Sequence, residues 1–216
     1  MAALSAERVR SNLAEVRERI DGAADRAGRD GAAVEILAAV KYLEGPQLEI
    51  LADGGITLVG ENRAQALLEK AGYAAGRLRW HFIGALQSRK VRQIVPHVEL
   101  IHSVASESAL RELGRHAPPS FEILIEVNVA GEAGKAGIAP AALDDFIALS
   151  PVSVVGLMTM PPQTGEPERS RPHFERLAAL ARERGLSQIS AGTSQDFEIA
   201  VECGATIVRI GTTLYR

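Results

Sequence analysis

Lys41 closes a run of five apolar residues, Ile36-Leu37-Ala38-Ala39-Val40. Burial favours the neutral form of a lysine, and a free amine attacks an aldehyde to form a reversible Schiff base. The competing reading at this point is a solvated lysine at a strand end. Far along the chain, two loops combine glycine with hydroxyls, Gly192-Thr193-Ser194 and Gly211-Thr212-Thr213. Glycine lets backbone N–H groups approach an anion, and hydroxyls donate to it. Side by side these loops would cup a dianion; apart, each is an ordinary turn. Arg209 stands inside the apolar segment 206–210, on the face of Ile207 and opposite Val208 and Ile210. A buried arginine is rare unless it pairs with an acid or meets a ligand, and both readings stay open.

Other chemistries lack their residues. The histidines at 81, 97, 102, 116 and 173 show no metal-binding spacing such as H-E-x-x-H, so no metal is expected. His81 and His102 fall in strands and read as hydrogen-bonded core residues. No G-x-S-x-G elbow and no G-x-G-x-x-G after a strand occurs. The lone Cys203 has no internal disulfide partner and reads as a small hydrophobe in a reducing, cytoplasmic setting. With 24 Lys+Arg against 27 Asp+Glu and no basic block, nothing points to nucleic acid. No apolar run approaches the roughly 20 residues that span a bilayer, and no signal-peptide core opens the chain.

The elements that would position these residues alternate. A helix over 5–27 carries Val9, Leu13, Val16 and Ile20 at steps of three or four, with Ser5 as N-cap and Gly28 as stop. Strands are expected over 34–40, 56–59, 80–83, 100–104, 122–129, 154–158, 187–190 and 206–210. Helical stretches lie between them, with Pro140 and Pro172 in first-turn positions. Eight strands alternating with helices predict a parallel sheet closed as a (β/α)8 TIM barrel; an open doubly wound sheet is the alternative. All 216 residues read as a single domain. Little sequence follows the eighth strand, so the N-terminal helix is expected to take the place of the last outer helix, beside strands 1 and 8. The irregular stretch 160–171, rich in Pro, Gly and charge, reads as a mobile loop near the barrel mouth.

Taken together, Lys41, Gly60-Glu61-Asn62, Trp80-His81-Phe82-Ile83-Gly84, Gln87-Ser88, Gly156-Leu157-Met158, Gly192-Thr193-Ser194-x-Asp196 and Val208-Arg209-Ile210-Gly211-Thr212 form an ordered set. In these motifs the chain resembles the pyridoxal-phosphate homeostasis proteins, single-domain relatives of the alanine racemase barrel. The resemblance runs from about Ala32 to the C-terminus and takes in Glu126-Val127-Asn128 and residues 132–137. It implies an alanine-racemase-like barrel carrying pyridoxal 5′-phosphate (PLP) as a Schiff base on Lys41. It implies further that Ser194, Gly211 and Thr212 hold the phosphate and that Arg209 faces the pyridine nitrogen. Asn62, His81 and Met158 match pocket-lining positions, and Lys135 matches a lysine connected with PLP transfer. The chain departs from the usual pattern at Val40, Leu43, Ala85, Arg89 and Arg216, none of them a proposed cofactor contact.

The resemblance implies a carrier that limits or delivers free PLP without established catalysis, with PLP-dependent apoenzymes as recipients and the chain acting as a monomer. An arginine at the pyridine nitrogen keeps its proton, so the ring would stabilise carbanions poorly. A racemase also needs a second acid/base from a further domain, for which this chain has no sequence. A weak PLP-dependent amino-acid racemase, a Schiff-base aldolase on a sugar phosphate and a purely partner-binding protein are the rival readings.

Overall fold

The computed structural model describes residues 4–162 and 165–215. Eight strands, β1 (Glu35–Ala39), β2 (Leu58–Glu61), β3 (Arg79–Phe82), β4 (Leu100–Val104), β5 (Glu122–Glu126), β6 (Ser153–Met158), β7 (Gln188–Thr193) and β8 (Ile207–Ile210), close into a barrel in chain order. Every neighbouring pair is parallel, and β8 closes on β1 through Glu35↔Ile207 to Ala38↔Ile210. This is the expected (β/α)8 architecture; the open sheet is excluded by the β1–β8 pairing.

The outer helices are α1 (Ala6–Arg26), α2 (Gln47–Asp53), α3 (Ala64–Lys70), α4 (Val91–Ile94), α5 (Glu107–His116), α6 (Leu143–Ala148), α7 (Arg171–Glu183) and α8 (Phe197–Glu202). Ser5 caps α1, its hydroxyl accepting the Arg8 N–H at 3.3 Å. The helix buries Val9, Val16, Ile20, Ala23 and Ala24 and packs between α8 and α2, outside β8 and β1, as the sequence predicts. Arg19 and Arg26 reach Glu198 and Glu202 of α8 at 2.8 Å each, and Arg10 donates to the Asp53 carbonyl that ends α2 at 2.9 Å. Exposed ion pairs contribute about 0–1 kcal/mol, so the apolar stripe holds α1 in place.

Period-2 alternation fills the barrel in layers. Leu37, Leu58, Leu100, Leu124, Met158 and Ile207 form an apolar plug inside it. Two residues further toward the C-terminal end stand Ala39, Gly60, His102, Glu126 and Arg209; two beyond Ala39 and Gly60 come Lys41 and Asn62. A Cβ at Gly60 would lie 2.4 Å from Leu37 Cδ2, so any larger residue there would push that side chain aside. The barrel therefore turns from apolar plug to polar floor within one step of each strand.

Some boundaries differ from expectation. Strand β2 begins at Leu58 rather than 56, because the Ile56 N–H is already spent on the Leu51 carbonyl at the end of α2. Strand β5 ends at Glu126 rather than 129; Val127 instead makes an isolated bridge to Ile138. Within 160–171, residues 163–164 lie outside the described residues, and Pro167–Ser170 forms a short 3-10 turn.

Ile20→Ala should lower the unfolding free energy by about 2–5 kcal/mol, the range for deleting a buried aliphatic side chain. Arg19→Ala should cost under about 1 kcal/mol. Urea unfolding of both variants measures the contrast, and equal losses would show that the apolar face of α1 is not what holds it.

Candidate functional site

A cleft of about 560 Å³ opens at the C-terminal ends of the strands, within the ~300–1,000 Å³ typical of ligand sites. Lys41, Asn62, Ser194, Arg209, Gly211 and Thr212 line it, with Gly60 and Met160. Six of the eight candidate residues named from the sequence are thus brought together. His81 and Met158 lie in the barrel interior beneath, 2% and 3% exposed.

Lys41 follows β1 at an inward-facing position, and its side chain is exposed to the cleft. Its Nζ stands 4.7 Å from the centroid of the Tyr42 ring, an exposed cation–π contact. Just behind it, the Tyr215 hydroxyl donates to the Ala39 carbonyl at 2.9 Å, tying the end of β1 to the last turn of the chain.

The two hydroxyl–glycine loops meet, as their pairing predicts. The Gly211 N–H donates to Ser194 Oγ at 3.1 Å, joining the loop after β7 to the loop after β8. Thr193 is committed elsewhere: its N–H and hydroxyl both donate to Asp196 Oδ1, at 2.8 and 3.0 Å. Asp196 Oδ2 accepts from Ser170 Oγ at 2.8 Å, which anchors the segment before α7. Gly192 has φ +87°, and a Cβ there would stand 2.7 Å from the Ala200 methyl, so only glycine makes this turn. Nothing lies within 4 Å of where a Cβ on Gly211 would sit, so the cleft is open above it.

Arg209 is 6% exposed and, among the described residues, has no carboxylate within salt-bridge distance. It donates to Ser190 Oγ at 2.5 Å, to the Thr159 carbonyl at 3.0 Å and to Met160 Sδ at 2.9 Å. Burial pushes its guanidinium down to about 10, against the pull of Asp196 and Glu126. Among the described residues these bonds use three of its five N–H groups, and Arg209 lines the cleft. Burial raises the Glu126 carboxyl above its ordinary value, opposed by Arg209 and Lys135. Lys135 itself pairs with Glu132 in the loop after β5, which the Asn128 amide braces by donating to the Glu132 carbonyl at 2.9 Å.

Beneath Arg209 the polar contacts continue as a chain. Ser190 Oγ stands 2.8 Å from His102 Nδ1, and His102 Nε2 stands 2.9 Å from His81 Nδ1. Ser190 accepts from Arg209 and has its own hydrogen to give to His102 Nδ1; in that arrangement His102 donates from Nε2 to His81, and in the reverse one His81 Nδ1 donates to His102, whose Nδ1 donates to Ser190. Both rings are neutral. Burial, helped by the Arg79 charge, pushes His81 down to about 3. Burial, then His81 and Arg209, holds His102 well below its usual range. Sequence reasoning identified the two histidines as core residues but missed Ser190; a serine amid the apolar residues of β7 was the available signal. It also missed Thr159, Met160 and Tyr215, whose parts are set by distant loops.

The neutral histidines make stability depend on pH. In the unfolded chain both imidazoles take up protons near pH 6.5, whereas folded His81 does so only at about 3. Stability present above pH 6.5 is therefore lost as pH falls through that window, by about 1.4 kcal/mol per pH unit for each such histidine. His102→Gln should reduce proton uptake on unfolding near pH 5 by about one proton. The slope of unfolding free energy against pH measures this; an unchanged slope would mean that folded His102 is already charged.

Residues 6–216 match the family described as Alanine racemase, N-terminal domain. The chain is 40% identical to the pyridoxal phosphate homeostasis protein of Aquifex aeolicus, over 94% of this chain and 95% of that one. It is 38% identical to the protein of the same name from Pseudomonas aeruginosa, over 96% and 94%. Among solved structures, PipY of Synechococcus elongatus with PLP bound superposes with a TM-score of 0.80 at 28% identity, over 96% of this chain and 100% of that chain. An alanine racemase of Clostridium difficile shares the fold at a TM-score of 0.70 and 12% identity, with 57% of its length covered. Fold, motif order and full-length identity agree: this chain belongs to the pyridoxal phosphate homeostasis proteins, a single-barrel branch of the alanine racemase N-terminal domain family.

Proposed function

We propose that this protein binds PLP in the cleft and serves intracellular PLP homeostasis, holding the cofactor covalently but reversibly on Lys41. The observation that carries the reading is the convergence of an amine, a phosphate cup and a guanidinium around one cleft. When bound, PLP supplies a reactive aldehyde and an electron-withdrawing ring. The residues decide what is made of them. Ser194 and Thr212 would present donors to the phosphate, where charge-assisted bonds are strong, and Gly211, whose N–H donates to Ser194 Oγ, would hold that hydroxyl in place and leave the cup open. Arg209, at the floor of the cleft, keeps its own proton at neutral pH, since its value near 10 lies well above it. Placed at the pyridine nitrogen it would donate a hydrogen bond without giving up the proton, and the ring would be a weak electron sink. Asn62 closes the side of the cleft next to Lys41. His81 and Met158 support the floor from the barrel interior.

The site thus favours retention of PLP over transformation of an amino acid. The exposure of Lys41 leaves its amine open to exchange with outside amines, which suits delivery to PLP-dependent apoenzymes by a monomer in the cytoplasm.

Three measurements test this. The purified protein loaded with PLP should absorb in the visible and bleach with borohydride, and peptide mapping should place a pyridoxyl group on Lys41. Lys41→Ala should abolish the trapped adduct while leaving the urea midpoint nearly unchanged, because the side chain is exposed. Ser194→Ala should weaken PLP binding about 10-fold or more through loss of a hydrogen bond to a charged group. A colourless protein that takes up no added PLP, or undiminished trapping in Lys41→Ala, would overturn the assignment.

A further inference from the structure

Behind the cleft lies a buried ion pair with no part in the reading above. Glu61, the last residue of β2, is 0% exposed, and its Oε2 stands 2.6 Å from Nζ of Lys70 at the end of α3. Side chains on a helix lean toward its N-terminus, and Lys70 leans back along α3 toward the barrel mouth. Each partner has further bonds. Glu61 Oε1 accepts the backbone N–H groups of Asn62 at 2.8 Å and Arg63 at 3.2 Å. Lys70 Nζ donates to the Val40 carbonyl at 2.9 Å.

Taking two charges out of water costs more than a well-packed apolar pair of the same volume, so a buried ion pair is a poor device for stability alone. What it holds is more informative. The β1–β2 ladder ends where Val40 N–H meets the Gly60 carbonyl at 3.0 Å. Lys41 is the residue after Val40 and Asn62 stands two past Gly60, and both line the cleft. The Val40 carbonyl belongs to the peptide plane that carries the Lys41 amide, and the Asn62 N–H is bonded directly. The ion pair thus takes over at the point where strand pairing stops.

We propose that Glu61 and Lys70 are positioning residues for the cofactor site. The pair fixes the backbone of Lys41 and Asn62 so that the Lys41 amine is already placed to bond the PLP aldehyde. The inference rests on the assignment of Lys41 above and adds its supporting frame. Preorganised sites lose affinity when such a frame loosens, even though no contact to the ligand is removed.

The test separates position from stability. In the double variant Lys70→Met/Glu61→Gln, no charge is left buried and the glutamine oxygen still accepts the Asn62 and Arg63 amides, while the Val40 carbonyl and the glutamine NH2 are left without Lys70. Under conditions where circular dichroism shows it folded, it should bind PLP about 10-fold more weakly, with less pyridoxyl-Lys41 trapped at a fixed PLP concentration. Lys70→Arg, which keeps the charge and its donors, should restore both. Wild-type affinity and trapping in the double variant would overturn the inference, while trapping away from Lys41 in the wild type would overturn the assignment beneath it. Should the double variant fail to fold, hydrogen exchange on the unmodified protein decides. The Asn62 and Arg63 amides should be protected in the PLP-free form; protection that appears only with PLP would mean that the ligand, not the ion pair, orders the segment.

Discussion

A guanidinium buried inside a closed barrel, with no carboxylate in salt-bridge reach among the described residues, constrains the rest of this structure. Arg209 must be satisfied by dipoles, and it is: Ser190 from β7, the Thr159 carbonyl and Met160 sulfur beyond β6, each held where β8 can reach it. The consequence runs downward. Ser190, which receives a hydrogen from Arg209, also stands 2.8 Å from His102 Nδ1, so the guanidinium is linked through one hydroxyl to the histidine pair below. Burial first, then the Arg79 charge for His81 and His81 and the Arg209 charge for His102, disfavours the charged form of both rings. The consequence upward is a cation at the floor of the cleft, which is a standing demand for an electron-rich partner.

Barrel closure makes this arrangement possible. Strand alternation sends every second side chain to the axis, and parallel pairing brings all the C-terminal ends to one face. The inward step after Leu37 is Ala39 and the next is Lys41; the inward step after Ile207 is Arg209 and the next is Gly211. Two strands whose paired residues are 172 apart in sequence (Glu35↔Ile207) thus deliver an amine and an anion loop to the same rim, because β8 pairs directly with β1. Helix α1, clasped to α8 and α2, covers that seam from outside.

The site also shows two ways of fixing backbone where regular pairing stops. After β7, Asp196 gathers both donors of Thr193 and the Ser170 hydroxyl. After β2, Glu61 gathers two amides and engages Lys70, which in turn holds β1. In each case a carboxylate replaces the missing ladder partner.

Much of this was legible in the order of residues. The 3.6-residue stripe of 5–27 and the short apolar runs carry α1 and eight strands, because local burial periodicity survives any tertiary arrangement. Lys41, Arg209 and the two glycine–hydroxyl loops stood out as types misplaced for a plain core or turn. The motifs carried the family resemblance, and so Asn62 with it. What tertiary structure alone decided was which polar groups answer one another. Nothing in the spacing of Glu61 and Lys70, or of His81, His102 and Ser190, distinguishes a surface lysine or a core serine from a partner. Those identities depend on side chains meeting across strands and helices remote in sequence. The strand ends moved for the same reason. The Ile56 amide was claimed by the end of α2, and past Glu126 the chain adds a bridge to Ile138 while the Val127 N–H still meets Met158, choices that hydrogen bonds make only once the chain has closed on itself.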